Sequence, residues 1–182
     1  KRPFCVLASL SITTHPIYVG MDDFDFYTWG LFVLANFAAA TSGAVFTPGQ
    51  WYEDLKKPSW RPPNWLFPPV WLVLYVVIGT SGCLVWRDTE PGTRMLPMTI
   101  YFVHLALNFL WSAIFFGLKR PGWAFLEILL LWSTLVAMMV VFYPINQTAA
   151  LILIPYLCWV SFAGCLNFKV WELNKATLSN PV

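Results

Sequence analysis

Five apolar runs, each about the 20 residues that a helix needs to cross a bilayer, take up most of this chain. They are expected over residues 24–46, 69–86, 97–117, 123–142 and 149–171. Polar or helix-breaking punctuation ends each of the first four: Thr47-Pro48-Gly49, the stretch from Arg87 to Arg94, Lys119-Arg120-Pro121-Gly122, and Tyr143-Pro144 with Asn146. Of 182 residues, 58% are hydrophobic and 11% charged. A soluble domain carries about 25% charge, so this chain cannot cover a globule with polar surface. The expected fold class is therefore an all-α integral membrane protein, a five-transmembrane-helix bundle. No internal repeat is visible, and five spans do not divide into two equal inverted halves.

The domain is expected over residues 21–182. Residues 1–20 carry neither a convincing span nor a cleavage site of small residues, and Met21 followed by Asp22-Asp23 resembles a natural start. They are expected to be a non-native extension or a targeting segment.

Lysine and arginine set the expected orientation. Lys56, Lys57, Arg61, Lys119, Arg120, Lys169 and Lys175 fall on one side; Arg87 and Arg94 fall on the other, with Asp22, Asp23 and Asp25. The expectation is an outer N-terminus and a cytoplasmic C-terminus. A net charge of +2 without a basic stripe gives no footprint for nucleic acid. Cys83, Cys158 and Cys165 lie inside apolar runs and are expected to be small buried thiols. With two histidines far apart, no metal site is expected.

The stretch from Trp51 to Tyr75 is the most unusual part of the chain. Trp51, Trp60, Trp65 and Trp71 alternate with Pro58, Pro62, Pro63, Pro68 and Pro69 around the Lys56-Lys57 pair. So many prolines forbid a continuous helix or a central strand. An ordered, non-helical connection is expected, its amphipathic rings suited to a membrane interface or to the mouth of a pocket for a flat apolar ligand.

Polar residues at membrane depth are the remaining signal. His104, Asn108 and Trp111 share a helix face, as do Trp71 and Tyr75, Trp123 and Glu127, and the stripe Trp159, Ala163, Leu166, Asn167. Asn108 and Asn167 serve equally as pocket groups or as interhelical glue. His104 is expected as a hydrogen-bond partner between helices, Glu127 as a residue snorkelling to the headgroups. Ala35, Ala39 and Gly43 form a small-residue face for close packing, within the monomer or in a homodimer.

The motif set resembles the TspO/MBR family, the tryptophan-rich sensory proteins that include the mitochondrial translocator protein (peripheral benzodiazepine receptor). The resemblance rests on Trp51-Tyr52, Leu55-Lys56-Lys57-Pro58-Ser59-Trp60, Pro62-Pro63, Trp65, Pro69-Val70-Trp71 and Leu74-Tyr75. It continues through Leu105 to Asn108, Trp111 and Phe115-Phe116-Gly117, then Pro155-Tyr156, Trp159 and Leu166-Asn167-Phe168.

The resemblance implies a five-helix bundle, often dimeric, whose first loop covers a pocket open to the cytosolic side. It implies binding of tetrapyrroles such as protoporphyrin IX and haem as ligands rather than required cofactors, and of sterols in some members. The ligand-binding residues it implies are Trp51 near the lid, Phe67, Trp71, Tyr75, Asn108, Trp111, Trp123, Trp159, Ala163 and Leu166. Lys56, Lys57 and Arg61 would meet porphyrin propionates, although positive-inside topology accounts for them as well. Two departures stand out. His104 replaces the usual glutamine, and Phe168 replaces the tyrosine of the C-terminal sterol pattern, which leaves sterol binding in doubt.

The functional expectation is a membrane receptor, transport or sensory protein for tetrapyrroles. One alternative is light-dependent porphyrin breakdown with Trp71 and Trp159 as redox partners. Another is a sterol-binding or partner-scaffolding protein. A bacterial envelope membrane is expected over the mitochondrial outer membrane.

Overall fold

The computed structural model describes residues 25–179, so the expectations for residues 1–20 and for Met21 lie outside the described residues. Helix α1 covers Phe26–Val45. Short α2 covers Gln50–Asp54, α3 Phe67–Asp88 and α4 Met95–Ser112. Beyond them lie α5 (Pro121–Phe142), short α6 (Gln147–Leu151) and α7 (Ile154–Ser179). Among the described residues, five helical segments are long and apolar enough to cross a membrane: Phe26–Val45, Asn64–Asp88, Met95–Gly117, Pro121–Phe142 and Gln147–Thr177. The protein is a five-span integral membrane bundle.

Local sequence explains where these helices begin. Asp25 caps α1 by accepting from the Tyr27 amide at 3.0 Å. The Thr28 hydroxyl also donates to Asp25, which holds that carboxyl below its ordinary range. Pro68 and Pro69 sit in the first turn of α3, and Pro121 opens α5, where no intrahelical N–H is needed.

Two irregularities refine the expected spans. The fifth is interrupted at Ile152 and Leu153, just before Pro155, which can neither donate to the preceding turn nor fit under it. The third ends in a π-helical turn over Ala113–Gly117, with the Leu118 amide reaching the Ala113 carbonyl at 2.8 Å. The connection from Trp51 is also less irregular than expected. It carries α2 and a 3-10 turn over Asn64–Leu66, because the prolines crowd into Pro58–Pro63 and the start of α3.

In the bundle α1 lies against α3 and α4, and α5 lies between α4 and α7. The α1–α3 approach is closest at glycines of α3 rather than at the expected α1 small face. A Cβ on Gly79 would fall 2.8 Å from the Val33 Cα, and one on Gly82 would fall 2.9 Å from the Phe32 ring. Ala39 is buried, but Gly43 has nothing within 4 Å. Two of the three thiols also differ from expectation. Cys83 is buried, whereas Cys158 and Cys165, two turns apart on α7, are exposed on its outer face.

A cavity beneath the first loop

A cavity of about 610 Å³ opens between the ends of α1, α3, α4 and α7, within the size range of small-molecule sites. Phe67, Trp71 and Tyr75 line it from one face of α3, at successive one-turn steps. Asn108 and Trp111 line it from α4, and Trp159, Ala163 and Leu166 from α7. Eight of the ten residues expected at a ligand site thus meet around one space. Trp71 stacks on Tyr75 with centroids 5.4 Å apart at 28°, and Phe67 meets Trp159 edge-on at 5.6 Å.

The other two lie elsewhere. Trp51 does not line the cavity; it stands behind the wall, edge-on to Phe115 at 6.1 Å. Its neighbour Tyr52 is the α2 residue that reaches the cavity and is buried. Trp123 is 67% exposed and faces away, as an interfacial ring on the outside of α5.

Several lining residues were not singled out as ligand contacts from sequence. The π-turn swings Phe115 and Phe116 onto the cavity, and their place in the family motif was the available signal. Phe37 lines it from α1, whose inner side was marked in sequence only by its polar neighbour Asn36, which is buried. Asn167 lines the cavity and also joins helices. It accepts from the Trp111 indole at 3.0 Å and donates to the Pro121 carbonyl at 2.8 Å.

Below the aromatic walls a polar cluster closes the floor. The Tyr75 hydroxyl donates to Asn108 Oδ1 at 3.0 Å, and Asn108 Nδ2 donates to the Tyr156 hydroxyl at 2.9 Å. His104 is buried with Nε2 2.9 Å from that hydroxyl and Nδ1 2.9 Å from Thr134 Oγ1. It bridges helices as expected. Glu127 does not snorkel: it is 6% exposed, and neither carboxylate oxygen has a hydrogen-bond partner among the described residues. It lies two turns from Thr134 on α5, as Trp111 lies two turns from His104 on the antiparallel α4, so the helix register places it beside Trp111. The Trp159 Nε1 is also buried without a partner among the described residues.

The first loop is tied down over the cavity as a lid. Asn174 of α7 accepts from the Lys56 amide at 2.9 Å and donates to the Lys56 carbonyl at 2.8 Å. Two of the three loop cations are engaged inside the lid. Lys57 donates to the carbonyl oxygens of Glu53 and Leu55 and sits 4.6 Å over the Tyr52 ring. Arg61 donates to the Tyr52 hydroxyl at 3.2 Å and to Asn64 Oδ1 at 2.7 Å. Lys56 is exposed.

Comparison with known proteins agrees with this architecture. The TspO/MBR family matches residues 32–172. Protein CrtK of Rhodobacter capsulatus is 42% identical over 147 residues, 80% of this chain and 92% of that protein. The Translocator protein of Homo sapiens is 39% identical over 148 residues, 79% of this chain and 88% of its own. A Tryptophan-rich sensory protein of Cereibacter sphaeroides is 36% identical over 149 residues, 80% and 92% of the two chains. A match that spans all five helices, the lid and the cavity places this chain in the TspO/MBR family of membrane proteins.

Proposed function

We propose that the protein is a membrane receptor, transport or sensory protein that binds a tetrapyrrole such as protoporphyrin IX or haem in the cavity beneath the first loop. The observation that carries this reading is the aromatic wall itself. Phe67, Trp71, Tyr75, Trp111 and Trp159 converge from three helices on one space of about 610 Å³. A large flat π-system buried among such rings gains both area and stacking. The few polar groups, chiefly Tyr75 and Asn108, fix its orientation. With Lys57 and Arg61 already bound within the lid, exposed Lys56 is the loop cation left to meet a propionate at the mouth.

The test is to fill the cavity. Ala163 is half-buried on its wall, and Ala163→Phe puts a ring where the ligand would lie. Saturable protoporphyrin binding in the wild type and its loss in Ala163→Phe is the expected result. Unchanged binding in the variant would move the ligand out of this cavity.

The preferred orientation has the lid and the C-terminus on the cytoplasmic side of a bacterial envelope membrane. The lysine and arginine distribution supports the topology, and the bacterial relatives are consistent with the membrane. A second reading, light-dependent breakdown of the bound porphyrin, draws on Trp71 and Trp159, both on the cavity wall, as redox partners beside a photosensitiser. Equal porphyrin absorbance in illuminated and dark samples over time would eliminate it.

A further inference from the structure

Beneath the cavity runs an unbroken hydrogen-bond chain, Tyr75–Asn108–Tyr156–His104–Thr134, that crosses from α3 through α4 and α7 to α5. Its proton positions follow from counting donors and acceptors. The Tyr156 oxygen accepts from Asn108 Nδ2, so its own hydrogen goes to its other partner, His104 Nε2. His104 then carries its proton on Nδ1 and donates to Thr134 Oγ1. The Thr134 hydroxyl in turn donates to the Leu131 carbonyl at 2.9 Å. At the cavity end, the Tyr75 hydrogen is spent on Asn108 Oδ1. Each link of the chain is then formed, and the Tyr75 oxygen has only lone pairs left to offer.

The reverse arrangement keeps every link of the chain, with Thr134 turning its hydrogen from the Leu131 carbonyl to His104 Nδ1, and creates one new need. With His104 protonated on Nε2 and the Asn108 amide turned over, each hydrogen bond in the chain runs the other way. The Tyr75 hydrogen then faces the cavity and needs an acceptor there. A buried donor left without one is costly, so only an acceptor-bearing ligand would stabilise this state. The exchange needs no ionised group, which matters at membrane depth.

We propose that His104 is a positioning residue that sets the hydrogen-bond polarity of the cavity floor through Tyr156 and Asn108. The floor at Tyr75 therefore prefers a ligand group that is an N–H or O–H donor over a bare acceptor, and the Trp159 N–H, on the wall, is left to a different part of the ligand. This rests on the cavity being the ligand site.

Carbazole and dibenzofuran test it, because these flat tricyclic probes differ chiefly in presenting a ring N–H donor or a ring oxygen acceptor. Wild type is expected to bind carbazole roughly fivefold to tenfold more tightly, the worth of one buried hydrogen bond. His104→Gln, which can accept from Tyr156 and donate to Thr134, is expected to keep that ratio. His104→Leu, which leaves the Tyr156 hydrogen to turn back on Asn108, is expected to shift it towards dibenzofuran. Magnetic resonance of isotope-labelled histidine supplies a readout that a purely structural role would not move. His104 should carry its proton on Nδ1 in the empty protein and with carbazole, and on Nε2 with saturating dibenzofuran.

Equal affinities in wild type, a ratio unchanged in His104→Leu, or a tautomer indifferent to dibenzofuran would each overturn the proposal. Failure of the underlying site reading shows separately, as binding of both probes that Ala163→Phe leaves unchanged.

Discussion

Glu127 shows how far a single residue can depart from its sequence context. Six residues into α5, it is close enough to the span end to reach the headgroups, yet it is buried in the bundle. Sequence lists the neighbours along a helix but not the rotation of that helix in the bundle. An apolar side chain of similar size removes the unpaired oxygens, so Glu127→Leu is expected to raise stability by about 1–3 kcal/mol. Unfolding of the detergent-solubilised variant at lower temperature than wild type would assign the carboxyl a partner or a function. Trp123 departs from expectation for a different reason: it shares the face of Glu127 but lies in the first turn of α5, at the end of the bundle, where it projects outwards at 67% exposure. By contrast Trp71, Tyr75, Asn108, Trp159 and Leu166 were legible. Their spacing fixes a shared face, and an amphipathic face in a membrane bundle turns inwards.

Among the elements, the lid and the α1–α3 contact carry the sharpest expectations. The lid's attachment to α7 runs through both backbone groups of Lys56 and the one side chain of Asn174. Asn174→Ala should therefore loosen the lid and speed both ligand entry and exit, measured by stopped-flow quenching, with a smaller effect on affinity. Unchanged rates would mean that the lid moves without breaking this contact. Sequence gave no hint of the pair, since 118 residues separate the partners.

The α1–α3 contact depends on glycine, and Gly79→Leu would force a side chain into the Val33 backbone. A loss of about 1–3 kcal/mol is expected, read as a lower unfolding temperature. An Ala35, Ala39, Gly43 spacing is visible in sequence, but which small residue meets a neighbouring backbone is a matter of register that spacing alone does not specify. The fifth span was expected to run unbroken over 149–171, although Pro155 is a marker for the break before it; the π-turn at Ala113–Gly117 has no comparable marker.

The whole molecule was the most legible level. Five long apolar runs with so few charges leave the chain little choice but a membrane bundle, and each observed span overlaps its expected range. The same charges predict which side of the membrane the lid faces. Ser59 is exposed in the loop, and Ser59→Cys should react with an impermeant thiol reagent only after the cytoplasmic side is opened, in a background with the native cysteines replaced. Reaction in intact cells would invert the topology and open the cavity to the opposite compartment.

The central claim is that the aromatic cavity holds a tetrapyrrole. Its most direct test is a fluorescence titration of purified protein with protoporphyrin IX in the dark, beside the Trp71→Phe/Trp159→Phe variant. Saturable quenching in wild type that needs roughly tenfold or more ligand in the variant is the expected result, since two ring contacts are reduced together. The same affinity in both proteins, or linear quenching without saturation in either, would contradict the account.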